Sequence, residues 1–174
     1  YASTGTDLFE AEGKYDTFSS VCGMYDETVQ LVTTNANIKS VKDLKGKTVC
    51  VGDAGSGTEF NAKQVLAAYG MSFDDITVNN ASFGDSADSL KDGAFVVAGA
   101  PTTAVVDLST ASQVYVIPVD GAERDSLMKD YAFYTKTTIP AGTYKGQDAD
   151  VETVSVRATL IASNELSEDV VYEL

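Results

Sequence analysis

The sequence predicts an α/β protein with a largely parallel sheet. Segments with β-branched or alternating apolar residues are separated by segments with helical apolar spacing, which is the pattern of strand–helix–strand units. Residues 94–98 are apolar throughout, as expected of a strand buried on both faces of a parallel sheet. Residues 48–70 contain a strand, a glycine-rich turn and a helix in direct succession.

The helix predicted after this turn runs from residue 59 to residue 69. Its apolar residues follow the i, i+3, i+4, i+7 spacing of one buried face, namely Ala62, Val65, Leu66 and Tyr69. Ser56 or Thr58 can serve as the N-cap, because a hydroxyl oxygen accepts a hydrogen bond from the free amides of the first turn. Gly70 follows the helix, where a residue that tolerates positive φ is favoured.

The turn and the start of this helix form a candidate anion site, because free N–H groups and the positive end of the helix dipole favour an anion. A Walker-type phosphate loop needs a lysine before its final Ser or Thr, and none is here. A dinucleotide fingerprint needs a third glycine where Phe60 stands. A small carboxylate therefore fits better than a phosphate, although residues 55–58 can equally be a tight turn before a capped helix.

The other elements are predicted in order along the chain. Ser40 caps a helical turn at 41–44, with Asp43 three residues later. Strands are expected at 18–24, 28–33, 76–78, 114–118, 133–138 and 154–162. Helices are expected at 85–91, at 101–109 with Pro101 as first residue, at 121–131 with Leu127 and Met128 facing inwards, and after the cap Ser167.

A second helix start also follows a strand and is rich in small residues. The strand at 94–98 leads into Gly99, Pro101 and Thr102. Ligands of parallel sheets bind outside the carboxyl ends of the strands. If the strands at 48–52 and 94–98 are neighbours, both helix starts face one crevice, and Thr102 is a candidate donor. Pro101 and Thr102 are equally ordinary residues for the start of a helix.

Composition argues against several classes of function. The net charge is −14, so nucleic acids and anionic membrane surfaces are poor partners. The chain has no histidine, which excludes Ser-His-Asp and Cys-His catalysis and removes the commonest metal ligand. No carboxylates have the spacing of an EF-hand loop, so no metal or cofactor is predicted.

The two cysteines, Cys22 and Cys50, each lie in an apolar, strand-like run. We expect two separate buried thiols; a disulfide is the alternative and would indicate an oxidising compartment. The sequence contains no signal peptide and no stretch apolar enough to span a membrane. Neither end resembles a natural terminus, so we expect a fragment of a longer chain.

Several motifs carry a family likeness. Residues 44–52 read LKGKTVCVG and residues 55–62 read GSGTEFNA, and further motifs follow at 95–102, 138–144, 146–148 and 166–172. In this order they closely resemble the signature of TAXI-type solute-binding proteins. Those proteins are the extracytoplasmic receptors of tripartite ATP-independent periplasmic (TRAP) transporters. The likeness covers most of the chain.

The resemblance implies a periplasmic-binding-protein-like (type II) fold of two lobes that closes on a small organic acid. Residues 1–32 would be part of the first lobe and the hinge, residues 33–136 the second α/β lobe, and residues 137–174 the return to a truncated first lobe. Typical ligands of the family are glutamate, glutamine and dicarboxylates such as 2-oxoglutarate. The implied partners are that ligand and the TRAP membrane subunits, and the implied location is periplasmic or extracytoplasmic.

The resemblance also assigns seven residues to ligand binding: Gly55, Ser56, Gly57, Thr58, Asn61, Thr102 and Tyr25. The four loop residues would hold a carboxylate through N–H groups and hydroxyls, and Thr102 would add a donor. Tyr25 would line the cleft, and Asn61 would touch the ligand or support the loop. The family's amino-terminal portion has no counterpart here, so half of the first lobe and most of the opposing wall are expected outside this chain.

Binding without catalysis is the leading hypothesis. Two alternatives stay open: an enzyme acting on a small phosphorylated or carboxylated metabolite, and a surface antigen that senses the same ligand. The missing loop lysine and the missing histidine argue against the enzyme. Arg157 is expected to face solvent, with pairing to a carboxylate as the alternative. Tyr144 is expected to pack at the hinge rather than contact the ligand.

Overall fold

The computed structural model describes residues 3, 10–11, 13–81 and 93–173. Seven strands within them form one sheet: β1 (Phe18–Thr33), β2 (Thr48–Cys50), β3 (Thr77–Asn79), β4 (Ala94–Ala98), β5 (Tyr115–Ile117), β6 (Tyr134–Ile139) and β7 (Val151–Ser163). The strand order is β3-β2-β4-β1-β7-β6, and β5 also pairs with β1. The helix predicted at 85–91 lies outside the described residues.

The described helices are α1 (Gly57–Ala68), α2 (Thr103–Ala111), α3 (Gly121–Asp130) and α4 (Glu168–Tyr172), with 3-10 turns at Val41–Leu44 and Phe73–Asp75. Ser40 begins the first 3-10 turn with the predicted capping box. The Asp43 carboxylate accepts there from the N–H groups of Lys39 and Ser40, and the bond from Lys39 contributes most to lowering the pKa of Asp43. Ser56 and Ser167 cap α1 and α4, as predicted.

The sheet is mixed rather than largely parallel. β2 runs parallel to β3 and β4, whereas β1 is antiparallel to β4 and β5, and β6 is antiparallel to β7. The prediction of a largely parallel sheet is therefore wrong outside β3-β2-β4. A parallel pair needs a long crossover connection. The alternation of strands and helices in the sequence does not show which strands become neighbours in the sheet. It therefore does not reveal the antiparallel pairs that β1 forms with β4 and β5.

β1 is one continuous strand where the sequence predicts two. The predicted break falls at polar residues 25–27, and every residue from 19 to 26 is exposed. A strand that is exposed on both faces has no alternation of apolar and polar residues to detect. Only residues 29–33 of β1 are buried, and these are the residues that pair with β4.

α2 begins two residues later than predicted. Thr102 is its N-cap and Thr103 its first residue, so Pro101 stands in the preceding turn. The peptide bond between Ala100 and Pro101 is cis. Proline suits a turn as well as the first position of a helix, so the sequence did not distinguish the two places.

Two hydrophobic clusters form the core. The first includes Ala62, Val65 and Leu66 of α1 together with Leu127 of α3, which confirms the buried face predicted for α1. The second is built around β4, with Phe95 fully buried. Each such large apolar side chain contributes about 2 kcal/mol when it leaves water.

The chain divides into two compact units, Tyr1–Tyr25 with Arg157–Leu174, and Asp26–Val156. In the first unit, Asn164 accepts from the Ser19 hydroxyl at 2.7 Å and donates to the Asp16 carbonyl at 2.8 Å. The second unit contains both hydrophobic clusters and helices α1 to α3. The lobe boundaries after residues 32 and 136 stay predictions about the complete protein.

The backbone of β2 lies very close to Gly93, the residue before β4, and a substitution at Gly93 can test this close approach. A Cβ on Gly93 would lie 2.0 Å from the carbonyl oxygen of Thr48. We expect Gly93→Ala to lower the free energy of unfolding by about 3 kcal/mol, because a backbone atom blocks the added methyl group. Urea denaturation measures the change.

Gly57→Ala is the control for that variant, because a Cβ there meets nothing within 4 Å. Its free energy of unfolding should stay within about 1 kcal/mol of the wild type. If both variants were equally stable, β2 and the start of β4 would not approach as closely as described.

Candidate functional site

The turn between Gly52 and Ser56 builds the start of α1. Gly52 and Gly55 have φ values of 86° and 78°, which glycine adopts without strain. The Ser56 hydroxyl accepts from the N–H of Glu59 at 3.1 Å, and the Ser56 N–H donates to the Asp53 carbonyl at 3.0 Å. These bonds fix the direction in which the first amides of α1 point.

Glu59 already fills one anion position of this turn. Its Oε2 accepts from the N–H of Gly55 at 2.7 Å, and its Oε1 accepts from the Asn80 amide at 2.8 Å. Asn80 also donates to the Gly52 carbonyl at 3.1 Å, which ties the residue after β3 to the turn after β2. The turn therefore does bind a carboxylate, and that carboxylate belongs to the chain itself.

Two first-turn amides of α1 stay open. The N–H groups of Gly57 and Thr58 have no hydrogen-bond partner among the described residues, since the first N–H groups of a helix lack intrahelical acceptors. The half-buried Thr58 hydroxyl likewise bonds to no residue that the structure describes. The Thr58 side chain packs on Gly52, where an added Cβ would lie 2.9 Å from the Thr58 Cβ.

A buried glutamine organises the start of α2. The Nε2 group of Gln30 donates to the Gly99 carbonyl at 2.6 Å and to the Thr102 hydroxyl at 3.1 Å. The Thr102 hydroxyl donates to the same carbonyl. The Tyr144 hydroxyl donates to Oε1 of Gln30 at 2.7 Å and accepts from the Thr102 N–H at 3.4 Å. The hydroxyl and amide of Thr102 are thus engaged within the chain.

Tyr144 is a buried member of this network. Burial raises the pKa of its hydroxyl, although the hydrogen bond to Gln30 and those involving Thr102 oppose the rise. The hydroxyl therefore stays protonated at neutral pH and remains a donor. Tyr144 belongs to the larger unit, Asp26–Val156.

α2 leaves open the same two positions as α1. The N–H groups of Val105 and Val106 both donate to the Thr102 carbonyl at 3.0 Å. Those of Thr103 and Ala104 have no acceptor within the described part of the chain. Each of the two helices therefore presents the amides of its first and second residues.

Both helix starts follow strands that end at one edge of the sheet. β2 and β4 are neighbouring parallel strands, with Val49 beside Ala94 and Cys50 beside Phe95. This pairing confirms the condition that the sequence left open, namely that the two strands are neighbours. Ligands of open α/β sheets bind outside this edge.

Asn61 and Tyr25 lie elsewhere. Asn61 is 6% exposed, and its Oδ1 accepts from the Tyr134 hydroxyl at 2.8 Å. The same hydroxyl lies 2.7 Å from Oε1 of Gln64, so the Asn61 side chain is bonded to β6, and its predicted part in ligand binding or loop support stays a prediction. Tyr25 is 59% exposed and belongs to the smaller unit.

One of the two cysteines differs from expectation. Cys50 is buried, with its sulfur 3.2 Å from the Ala81 carbonyl, but Cys22 is exposed, and the two form no disulfide. Cys22 lies in the stretch of β1 that is exposed on both faces. Its apolar neighbours in the sequence had indicated a buried position. Arg157 is exposed, as expected, and its Cγ lies 3.1 Å from the place of a Cβ on Gly23.

Acidic side chains are dispersed over the described surface. Some pair with lysine, as Glu123 does with Lys42 at 2.7 Å. In the described ranges no three His, Cys, Asp or Glu side chains are grouped so that they could hold a metal ion. A search of the same residues finds no helix with the length and apolar character needed to cross a bilayer.

The sequence did not single out Gln30 or Asn80. The available signal for Gln30 is a polar amide directly between the apolar residues Val29 and Leu31, since buried polar groups need partners. Asn80 gives no local signal, because its role depends on a contact with a turn that is distant in sequence.

The fold is that of periplasmic-binding-protein-like solute-binding proteins. An ancestral arginine-binding protein bound to arginine aligns with a TM-score of 0.52 and 20% identity, over 90% of this chain and 54% of that chain. A putative sulfonate transporter's periplasmic sulfonate-binding protein from Methylobacillus flagellatus aligns with a TM-score of 0.49 and 18% identity, over 90% and 38%. The arginine-binding protein of T. maritima aligns with a TM-score of 0.49 and 16% identity, over 89% of this chain and 52% of that chain.

The chain belongs to the NMT1-like family, whose model matches residues 1–174. It spans between 38% and 54% of the length of the three structures named above. The fold implied by the sequence resemblance agrees with the alignment to the ancestral arginine-binding protein. The narrower TAXI type stays a prediction.

The Ser56 cap can be tested through stability. Ser56→Ala should lower the free energy of unfolding by about 1 kcal/mol, because the Glu59 amide loses its acceptor. Ser56→Asp keeps an acceptor oxygen and should stay within about 0.5 kcal/mol of the wild type. Denaturant titration compares the three proteins, and an equal loss in both variants would show that the hydroxyl oxygen is not the cap.

Proposed function

We propose that this chain is part of an extracytoplasmic solute-binding protein, which captures a small carboxylate and delivers it to a membrane transporter without transforming it. The observation that carries the proposal is the pair of helix starts after the neighbouring parallel strands β2 and β4. Each start has two first-turn amides that lack a partner among the described residues.

These donors suit a carboxylate. At α1 the N–H groups of Gly57 and Thr58 and the Thr58 hydroxyl supply three donors, and at α2 the N–H groups of Thr103 and Ala104 supply two. Hydrogen bonds to an ionised acceptor are stronger than neutral ones, and the two helix dipoles add to the attraction. Because the chain carries a net charge of −14, the attraction acts at short range and not through the overall field.

Glu59 narrows the choice among glutamate, glutamine and dicarboxylates. Its carboxylate is bonded to the Gly55 amide, two residues before the open amide of Gly57. Two like charges about 4 Å apart repel by roughly 1–4 kcal/mol at effective dielectric constants between about 80 and about 20. A second negative charge on the ligand is therefore penalised, and an ammonium group is favoured. We accordingly propose glutamine, which has one carboxylate and one ammonium group, in preference to glutamate and 2-oxoglutarate, which each have two carboxylates.

The remaining parts of the proposal rest on the motif resemblance at residues 44–52 and 55–62. The proposed partner is a TRAP-type membrane transporter, and an extracytoplasmic location follows from that partner. Within residues 55–58, the open amides of Gly57 and Thr58 and the Thr58 hydroxyl contact the ligand, whereas Gly55 and Ser56 shape the turn. Thr102 fixes the second helix start, and Asn61 links α1 to β6 through the Tyr134 hydroxyl. Tyr25 stays a candidate contact on the smaller unit.

Calorimetric titration of the complete protein tests this function. The ligands are glutamine, glutamate, 2-oxoglutarate, an alkanesulfonate, inorganic phosphate and ATP. We expect saturable binding of at least one carboxylate and no binding of ATP. Binding of ATP in the absence of any carboxylate binding would contradict the proposal.

A pair of threonine variants locates the ligand in the same titration. Thr58→Val removes an open hydroxyl and should weaken carboxylate binding about fivefold. Thr110→Val is the control, because that hydroxyl donates to the Asp107 carbonyl near the far end of α2. An unchanged affinity in Thr58→Val would remove this hydroxyl from the site.

The role of Glu59 gives a separate prediction about selectivity. Glu59→Gln keeps an acceptor for the Gly55 amide and removes the charge, so the preference for glutamine over 2-oxoglutarate should fall about tenfold. Asp74→Asn removes a charge from the exposed 3-10 turn Phe73–Asp75 and should leave the preference unchanged. Equal preferences in wild type and Glu59→Gln would mean that Glu59 does not select the ligand.

A further inference from the structure

We propose that Gln30 and Tyr144 are positioning residues, which fix the start of α2 so that the amides of Thr103 and Ala104 stay open to the ligand. The inference rests on the proposed function, because it gives both residues a part in carboxylate binding. All the contacts that carry it lie within Asp26–Val156.

Gln30 joins three separate segments of the chain. It lies in β1, its Nε2 group bonds to the turn before α2, and its Oε1 accepts from Tyr144 in the connector between β6 and β7. Gln30 is 0% exposed and Tyr144 is 1% exposed, so these bonds form away from water. A buried network in which every member is satisfied is rigid, and the loss of one member is costly.

The partners of Gln30 indicate what its amide does. A valine in its place would avoid the cost of burying an amide among apolar neighbours. The amide instead meets the carbonyl of Gly99, directly after β4, and the hydroxyl of Thr102, the N-cap of α2. Both partners lie in the turn that sets the direction of α2, so the amide constrains this turn.

A second buried tyrosine provides a contrast. The hydroxyl of Tyr134 contacts Asn61 and Gln64, which lie beyond the first turn of α1. The hydroxyl of Tyr144 contacts the N-cap amide of α2 itself. Of these two tyrosine networks, the one at Tyr144 includes atoms of a helix start, so its loss should alter the first turn of α2 directly.

Removing one hydroxyl tests the assignment. In the complete protein, Tyr144→Phe should raise the dissociation constant for glutamine about tenfold, because Gln30 and the Thr102 amide both lose a partner. Thr33→Val is the matched control, since the buried Thr33 hydroxyl donates at 2.7 Å to the Gly93 carbonyl, at the opposite end of β4. It should lower stability comparably and leave the affinity within about twofold. No loss in Tyr144→Phe, or equal losses in both variants, would overturn the proposal.

Gln30→Glu separates positioning from stability through a pH profile. Protonated glutamic acid has nearly the shape of glutamine and donates to the Gly99 carbonyl, whereas the carboxylate cannot donate. Burial raises the pKa of such a carboxyl group, so ionisation falls between about pH 5 and about pH 8. The variant, with its fold checked by circular dichroism at each pH, should bind glutamine normally at the acidic end and about tenfold more weakly at the other. A profile as flat as that of the wild type would overturn the proposal.

Hydrogen exchange tests the same idea without a ligand. The Val105 and Val106 amides donate to the Thr102 carbonyl, so their exchange reports opening of the first turn of α2. Tyr144→Phe should accelerate it about tenfold and Thr33→Val should not. If exchange is faster in Tyr144→Phe alone but the wild type binds no carboxylate, the proposed function is wrong, whereas the role of Gln30 and Tyr144 in fixing the start of α2 is supported. Unchanged exchange overturns the positioning role whichever ligand binds.

Discussion

The parallel pairing of β2 with β4 is the constraint on which the proposed site depends. It brings the turns after both strands to one edge of the sheet, although the strands are separated by more than forty residues of sequence. The backbone can come this close because residue 93 has no side chain: a Cβ there would lie 2.0 Å from the Thr48 carbonyl. In the proposed function the donors at the two helix starts act together, and this pairing is what places both at the same edge of the sheet.

Electrostatics then decides what these donors can hold. A chain with a net charge of −14 does not draw anions from a distance, so binding depends on donors that are already oriented. Within the turn, the strongest acceptor is the chain's own Glu59, which occupies the Gly55 amide. The same carboxylate that stabilises the turn therefore limits the charge of any ligand beside it. In the proposed function, the stability of the loop and the selectivity of the site therefore depend on one residue.

The sequence predicted those features that depend on local chemistry. The Ser56 cap, the buried face of α1 and the strand at residues 94–98 follow from spacing and residue type, and the structure contains them. It failed where long-range pairing decides. The antiparallel partners of β1 and the continuity of that strand through its exposed half are set by contacts distant in sequence. Gln30 is a similar case, because its role depends on hydrogen bonds to Gly99 and Tyr144, which are distant from it in sequence.

The sequence left the choice between a capped turn and an anion site even, and the structure shows which atoms of the turn the cap uses. The cap uses the Ser56 hydroxyl and the Glu59 amide, and the Glu59 carboxylate uses the Gly55 amide. Those bonds do not involve the amides of Gly57 and Thr58, so a helix can be fully capped and still present donors. The same separation exists at α2, where Gln30 and Tyr144 engage Thr102 and leave the next two amides open. In the proposed function the cap positions the donors and the open amides bind the ligand, so a capped turn and an anion site would use different atoms of one structure.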